Sequence, residues 1–438
     1  MKRGKHIILF GMMASFATLQ AQQASYLSLG EALAKADTDN KSTQIADLEQ
    51  RIAKADYKRT DAIFLPQVSA NYNATITNNP LNAFGFLLQQ SGVSAQSFDP
   101  SLLNHPDATR NFSTSVEVKM PLLNIDLIYS RKAAKLQEEV YRHKAEYTKK
   151  YVRFEIQKAY TQLQFAHQMK AILTNTKDDV EQIYQSTKNF YEQGLLQKSD
   201  VLNAQVQVNT VETSLVRAES SIANASEALQ LMMGIPVEKE MIYLTDSLKQ
   251  KGSQLSSYGH SDLRPDIVAM SKAVEASQAM VKSAKMNYLP KINAFGNYQF
   301  NDKKVIGFKN DSYLAGINLT WNIFTGNENH HKIKAATLQQ HKLQEELQLY
   351  KEKSQLETDK TLRDLTDLQA EIETRKATVE QSEEALRITN NRYKEGLVST
   401  TDLLQSQAQL SQQQLQLAQT IMNYNIAFYY LQLLTTIN

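Results

Sequence analysis

The composition of the chain excludes several classes of protein. With 438 residues but only 14 glycines and 8 prolines, it has few backbone breakers and is expected to be rich in long helices. A net charge of +2, with Lys and Arg dispersed, gives no electrostatic footprint for nucleic acid. The absence of cysteine excludes disulfides and a lipid anchor on an N-terminal cysteine. With no glycine-rich phosphate loop and only scattered histidines, we expect neither an enzyme nor a cofactor.

The first residues have the pattern of an export signal. Three basic residues precede an apolar run from Ile7 to Leu19, and the small residue Ala21 follows. We therefore expect residues 1–21 to be a signal peptide, so that the mature chain leaves the cytoplasm. No later stretch approaches the roughly twenty apolar residues of a membrane-spanning helix. A membrane location would then require strands, which indicates an outer membrane.

Four segments alternate polar and apolar residues over about the length that a tilted transmembrane strand needs. They lie at about 66–77, 112–121, 290–301 and 312–322. The predicted apolar face comprises Val68, Ala70, Tyr72, Ala74, Ile76, Phe112, Thr114, Val116, Val118, Met120, Ile292, Ala294, Gly296, Tyr298, Phe300, Tyr313, Ala315, Ile317, Leu319 and Trp321. The opposite face is mostly Asn, Gln, Ser and Thr, and Phe295 is the only bulky apolar residue on the polar side of the third segment. One face suits lipid and the other suits water.

Long helices are predicted between and after the strands. Neither Asp126–Tyr191 nor Glu328–Glu395 contains glycine or proline. The second of these stretches carries a narrow apolar seam at a seven-residue interval, which is typical of coiled-coil packing. The seam consists of Leu365, Ile372, Val379, Leu386 and Tyr393. The stretch 235–261 is irregular and polar, and we interpret it as a linker.

The chain contains an internal repeat. At an offset of 202 residues, NFYEQGLLQKSDVLNAQ from Asn189 aligns without a gap with NRYKEGLVSTTDLLQSQ from Asn391. We expect two tandem repeats, at about 26–234 and 262–438. The first repeat has about 22 extra residues between its strands, within Pro80–Arg110, and such a length difference predicts a loop. The sequence leaves open whether this loop folds over an external mouth or packs on the rim.

The strand count predicts an oligomer. Four strands cannot close a barrel, because the smallest transmembrane barrels have about eight. Several copies must contribute, since unpaired strand edges in lipid are too costly, and three copies would supply twelve strands. The alternative is a non-conducting periplasmic coiled-coil spacer that bridges envelope layers. That hypothesis leaves the four amphipathic segments unexplained.

The order of these elements resembles the TolC-type outer-membrane efflux proteins over essentially the whole mature chain. The motifs are FLPQ at Phe64–Gln67, LRPDI at Leu263–Ile267, YLPK at Tyr288–Lys291 and the paired GLxxxxD turns. The resemblance implies a mainly α protein with a transmembrane β part. In such a fold, a long α-helical coiled-coil barrel continues from four β-strands per chain, which complete a 12-stranded β-barrel as a trimer.

The resemblance also implies a function and partners. These are a passive exit duct of a tripartite efflux or secretion system, located in the outer membrane with its helical tunnel in the periplasm. The homotrimer would contact outer-membrane lipid, a periplasmic adaptor (membrane fusion) protein and an inner-membrane transporter. The exported substrate is not indicated. The family's NNP-like element is replaced here by residues 39–42 without proline, a difference expected to affect a helix boundary.

The resemblance assigns adaptor docking to the two turns. The residues concerned are Gly194, Leu195, Gly396 and Leu397. The simpler interpretation is that each glycine ends a helix and that Ser199 or Thr401 caps the next one. Both interpretations can hold together.

A periplasmic gate is implied by acids just past the turns. Asp402 matches a position where the family has an acidic ring, Asp200 is its counterpart in the first repeat, and Gln405 stands where some members have a second acid. Alternatively, the two aspartates only complement helix dipoles. His330 and His331 are adjacent on a predicted helix and point apart, so we assign no metal site.

Overall fold

The computed structural model describes residues 26–237, 242–252 and 262–435. The expected signal peptide, residues 1–21, lies outside the described residues. So do parts of the expected linker, at 238–241 and 253–261, and the last three residues of the second repeat.

Helices account for most of the described chain. They are α1 Leu29–Asp39, α2 Lys41–Arg59, α3 Pro80–Gln89, α4 Pro100–Asn104, α5 Ile125–Glu192, α6 Lys198–Met233, α7 Pro265–Met286, α8 Glu328–Lys394 and α9 Thr400–Thr435. Short 3₁₀ turns follow α2 and precede α4. Among the described residues, no helix combines the length and the apolar character needed to cross a membrane.

The strands form two sheets. They are β1 Tyr26–Leu27, β2 Gln67–Thr77, β3 Thr109–Leu123, β4 Tyr243–Leu244, β5 Lys291–Asp302 and β6 Asn310–Thr320. The larger sheet is antiparallel, in the order β2-β3-β5-β6. The small parallel pair β1–β4 takes its second strand from the stretch expected to be an irregular linker.

The register of the large sheet aligns the apolar residues of all four strands. Ala70 lies opposite Val116, Val116 opposite Tyr298, and Tyr298 opposite Tyr313. Because directly opposed residues project to the same side, this apolar row continues across the sheet. The polar rows do the same, for example from Asn71 through Ser115 and Gln299 to Ser312. Towards one end of the sheet the apolar rows are interrupted, where Phe112 lies opposite Asp302 and Phe300 opposite Asp311. A slip of one residue in any strand would mix the two faces.

The segment between β2 and β3 is more ordered than a simple loop. It contains α3 and α4, whose first residues, Pro80 and Pro100, occupy the position where a helix tolerates proline. Asn79 Oδ1 accepts a hydrogen bond from Asn82 N at 3.2 Å and caps α3. Sequence comparison between the repeats detects only that the segment is an insertion, so its helices are a finding of the structure.

Residues 39–42 break the helix without a proline. The side chain of Asn40 is the N-cap of α2, and its Oδ1 accepts a hydrogen bond from Thr43 N at 3.0 Å. Asn40 is buried despite being polar. An asparagine cap satisfies one of the free N–H groups of the first turn, so it can begin α2 directly after α1 ends.

The chain divides into two compact units, each with its own contacts. One unit contains, within the described residues, 26–36, 156–251 and 368–426. It holds both glycine turns and the β1–β4 pair, where Tyr160 donates a hydrogen bond to Leu27 O at 3.1 Å. The other unit contains 37–155, 252–367 and the described end of the chain from 427, including the large sheet.

A buried ion pair explains the LRPDI motif within this second unit. The guanidinium of Arg264, only 3% exposed, donates from Nε to Asp266 Oδ1 at 2.7 Å and from Nη2 to Asp266 Oδ2 at 2.8 Å. Its remaining Nη1 reaches Leu434 O at 3.3 Å. Tyr350 donates to Asp266 at 2.5 Å. The bidentate pair thus joins the start of α7 to α8 and to the end of α9.

Candidate functional site

Helix α5 ends in a turn in which one residue adopts the left-handed backbone conformation. Gly194 has φ +77°, and its N–H donates to Tyr191 O at 2.8 Å. The next N–H, of Leu195, donates to Phe190 O at 2.9 Å. These two bonds are the Schellman arrangement, in which the residue after the helix adopts the conformation that glycine reaches without strain.

Helix α8 ends in the same way. Gly396 has φ +71° and donates to Tyr393 O at 2.9 Å, while Leu397 N donates to Arg392 O at 2.9 Å. The two turns therefore have the same bonds at the 202-residue offset of the sequence repeat. A Cβ atom built on Gly194 or Gly396 meets no atom within 4 Å, so the glycines are required by backbone conformation and not by crowding.

The residue after each glycine presents a large apolar side chain to solvent. Leu195 is 68% exposed and Leu397 is 66% exposed. Single exposed leucines are common on protein surfaces. The distinctive feature is that a leucine stands at the same place in two turns with the same hydrogen bonds, so the chain presents an exposed apolar side chain twice.

The helices after the turns begin two residues earlier than we predicted from the sequence. Helix α6 starts at Lys198 with Gln197 as its N-cap, so Ser199 lies inside the helix. Helix α9 starts at Thr400, and Ser399 precedes it. The expected caps Ser199 and Thr401 are therefore wrong. Local hydrogen bonding explains the shift. In a capping box, the side chain three residues after the N-cap accepts a hydrogen bond from the backbone N–H of the N-cap residue.

The two aspartates among the three gate candidates take part in these caps. Asp200 Oδ2 accepts a hydrogen bond from Gln197 N at 3.1 Å. Asp402 Oδ2 accepts from Ser399 N at 3.1 Å and from Ser399 Oγ at 2.7 Å, while Asp402 N donates to Ser399 Oγ at 3.2 Å. Two hydrogen bonds from Ser399 hold the pKa of Asp402 below its ordinary value. The bond from the Ser399 side chain has the larger effect and the bond from its backbone N–H the smaller.

Asp402 and Gln405 lie on one polar groove between α8 and α9. Its other walls include Gln381, Ser382 and Thr389. Asp200 does not line this groove. Asp402 is exposed, so its carboxylate is available to water and ions although it also caps the helix. The structure thus brings together two of the three gate candidates and leaves the third on α6.

A buried cluster of side chains packs beside the turn at Gly396. Tyr393 is 4% exposed and packs with Ile183, Ala204, Leu403 and Leu404. Its hydroxyl lies 3.0 Å from Thr187 Oγ1 and 3.3 Å from Thr400 Oγ1. The apolar seam predicted from the sequence includes Tyr393, but the two threonine contacts are visible only in the structure. They link α5 to the residues on both sides of the turn.

An acid that the sequence analysis did not single out lies in a neighbouring pocket. Asp179 of α5 accepts a hydrogen bond from Gln407 Nε2 of α9 at 3.0 Å. Burial raises the pKa of Asp179, and the bond from Gln407 opposes that change. Ile183 lies four residues later and lines the same pocket. Ile183 is not part of the predicted seam, and no local pattern identifies Asp179, because its partner Gln407 lies 228 residues away along the chain.

His330 and His331, which we expected to point apart, bring their rings into edge-to-face contact. His330 and His331 have ring centroids 5.4 Å apart at an interplanar angle of 83°. No group of three or more His, Cys, Asp or Glu side chains arranged to hold a metal ion occurs within residues 26–237, 242–252 and 262–435.

Comparison with known proteins connects this geometry to a family. The family model described as outer membrane efflux protein matches residues 32–235 and 261–435. Among curated proteins, none matches the chain by sequence.

Solved structures similar to the chain include three bacterial outer membrane proteins. The CmeC outer membrane channel of Campylobacter jejuni has a TM-score of 0.81 at 14% identity, covering 99% of this chain and 93% of its own. The outer membrane protein VceC of Vibrio cholerae has a TM-score of 0.77 at 17% identity, covering 94% and 97%. The open state of the Neisseria gonorrhoeae MtrE outer membrane channel has a TM-score of 0.74 at 17% identity, covering 94% and 89%. The fold is therefore shared over nearly the entire chain.

Proposed function

The chain belongs to the outer membrane efflux protein family, and on that premise we propose that it is a trimeric channel-tunnel and the passive exit duct of a tripartite efflux or secretion system. The family places it in the outer membrane and among transport proteins, not enzymes. What we propose beyond family membership is that the chain forms a trimer, conducts passively and works with an adaptor and a transporter.

One observation carries the proposal, namely the common register of the four long strands. Apolar residues predominate on one face and polar residues on the other. Such a sheet fits between lipid on one side and water on the other. Within the described chain, β2 and β6 are the edges of the sheet and each pairs on one side only. Edge strands in a bilayer need partners, so further copies of the chain must continue the sheet.

The chemistry of the helical groove supports passive conduction. Asp402 and Gln405 share it with uncharged Gln, Ser and Thr side chains. A wall of this kind is wetted without binding one solute tightly. The energy for export would then come from an inner-membrane transporter, joined to the duct by an adaptor protein that docks at Leu195 and Leu397.

The proposed gate is a ring of Asp402 side chains. Three copies around one axis would gather three carboxylates beside three Gln405 amides. Asp200 would have a smaller part, because it lies outside the groove that holds the other two.

Conductance and assembly state test the proposal together. The purified mature protein should form a cross-linkable trimer and carry single-channel current in a planar lipid bilayer. The alternative, a non-conducting periplasmic coiled-coil spacer, predicts neither membrane insertion nor current. A stable trimer that inserts and never conducts, even under conditions that open its periplasmic end, would contradict the duct.

A further inference from the structure

The segment between β2 and β3 folds onto the polar face of the sheet. Gln90, which directly follows α3, donates from Nε2 to Asn111 Oδ1 at 2.8 Å and to Arg110 O at 2.8 Å. Asn111 Nδ2 donates in turn to Asn301 Oδ1 at 2.9 Å. Gln299 Nε2 donates to the same oxygen at 3.0 Å. One chain of amides therefore joins the segment to both β3 and β5.

The alternation of the strands shows which face this is. Asn111 precedes Ser113 by two residues on β3, and Ser113 lies opposite Asn301 on β5. All three residues belong to the polar rows, whereas the neighbouring Phe112 belongs to the apolar face. The anchor of the segment is therefore on the side that faces water in the proposed channel.

Burial supports the same conclusion. Gln90 is 2% exposed, Asn111 4% and Asn301 2%, although most of the sheet is open to solvent in the single chain. In the described strands of the large sheet, the buried positions are Asn111, Ser113 and Asn301, all on the polar face at the end nearest the segment. The segment between β2 and β3 covers these positions. Buried polar groups need hydrogen-bond partners, and the amides of Gln90, Asn111 and Asn301 supply them to one another.

We propose that residues 80–104 form an inward cap that restricts the size of solutes passing the loop end of the barrel, and that Gln90, Asn111 and Asn301 hold it in place. This inference rests on the proposed function, since it requires the polar face to line the lumen. Three copies would place three caps around one opening. The cap would therefore act as a second constriction, separate from the Asp402 gate.

The hydrogen bonds of Gln90 that hold the cap on the sheet are suited to release of the cap as well as to its closure. The amide oxygen of Gln90 is buried and has no hydrogen-bond partner among the described residues. A buried oxygen without a hydrogen-bond partner destabilises the closed arrangement, because it could bond to water if it were exposed. This cost offsets part of the stabilisation from the two hydrogen bonds that Gln90 Nε2 donates. The cap is thus held by a few bonds that can be broken without unfolding β3 or β5.

Cysteine labelling from outside the cell provides the test, because the chain has no native cysteine. Ser69→Cys places a thiol on the polar face of β2, opposite Glu117 and farther from the cap than Asn111. Intact cells are treated with a small maleimide or with a large polymer-linked maleimide. The large reagent does not cross an intact outer membrane and can reach position 69 only through the mouth.

The expected result is a change in size selection. In the Ser69→Cys parent, the small reagent should label well and the large one slowly. Adding Gln90→Ala should raise the rate with the large reagent roughly tenfold, as expected when about one net hydrogen bond is removed from the closed arrangement. Asn111→Ala removes the same contact from the strand side and should have the same effect. The matched control is Gln89→Ala, because Gln89 is the exposed last residue of α3 and directly precedes Gln90.

The outcomes separate the cap from the channel. Equal rates with the large reagent in all four proteins, at equal trimer yield, would overturn the cap and leave the duct intact. A parent whose cysteine is labelled by neither reagent in intact cells, yet by both in detergent, would contradict a water-filled lumen and hence the proposed function itself.

Discussion

The ring of Phe295 lies over Gly316, the residue directly opposite it on the neighbouring strand. A Cβ atom built on Gly316 would be 2.9 Å from Phe295 Cζ. Phe295 is the bulky apolar residue on an otherwise polar face of β5, and it is half-buried. The absence of a side chain at Gly316 makes room for the ring, so these two positions form one packing unit.

We therefore expect Gly316→Val to destabilise the strand pair. The added side chain would displace the Phe295 ring, an overpacking effect of about 1–3 kcal/mol. The measurement is the temperature at which the purified trimer dissociates. Gly296→Val on β5 is the control, because a Cβ there meets no atom within 4 Å. Combining Gly316→Val with Phe295→Ala should restore stability, and no recovery in the double variant would show that the contact is not the cause.

The two faces of the sheet should respond differently to charge. Ile317, 71% exposed in the single chain, belongs to the proposed lipid face, and its neighbour Asn318 belongs to the polar face. Ile317→Arg should cost about 2–4 kcal/mol if the site is near the bilayer midplane, whereas Asn318→Arg should be tolerated. The yield of membrane-inserted trimer measures both. Equal losses would refute the assignment of the faces.

Substitutions in the glycine turns should separate docking from barrel assembly. Gly396→Val forces a β-branched residue to φ +71° and should cost roughly 1–3 kcal/mol locally, because that conformation is strained for it. Gly396→Asn is the matched control, since asparagine adopts left-handed conformations more readily. Adaptor cross-linking should fall in the valine protein and persist in the asparagine protein, with normal trimer yield in both. Normal cross-linking by the valine protein would exclude this turn as the docking point, and Gly194 can be tested in the same way.

The proposed acidic gate should be sensitive to multivalent cations. Asp402→Asn should weaken the block of conductance by a trivalent cation added from the periplasmic side, and Asp200→Asn should weaken it less. Planar-bilayer recordings measure the blocking concentration. An unchanged concentration in the double Asn variant would eliminate both aspartates from the gate.

The pH dependence of that block should reveal the role of Ser399. Its hydrogen bonds lower the pKa of Asp402, so the carboxylate stays charged to lower pH, and the contribution of the cap is lost as pH falls through the lowered pKa. Clustering three carboxylates would act in the opposite direction. Ser399→Ala removes the larger, side-chain part of the lowering effect and keeps the backbone hydrogen bond, so the pH at which the block disappears should rise. An unchanged titration would mean that Asp402 does not determine the block.

Much of the architecture is local and could be predicted from the sequence. Period-two alternation is a property of each strand separately, so the positions and faces of four strands follow from residue order. The repeat at an offset of 202 residues also indicates the two turns, because a glycine after a long helix has a local reason to be there. The Schellman bonds at Gly194 and Gly396 are the same in both turns for that reason.

Only the tertiary structure decided which distant residues meet. Asn111 and Asn301 are 190 residues apart in the chain, yet their amides lie 2.9 Å from each other and hold Gln90 on the polar face. Nothing in the local pattern of Pro80–Arg110 determines on which side of the sheet the segment folds. Likewise, the backbone hydrogen bonds to Asp200 and Asp402 moved both helix starts from the positions that we predicted. Patterns along the chain determine elements and their faces, whereas pairing and capping depend on which polar groups find partners when the chain folds.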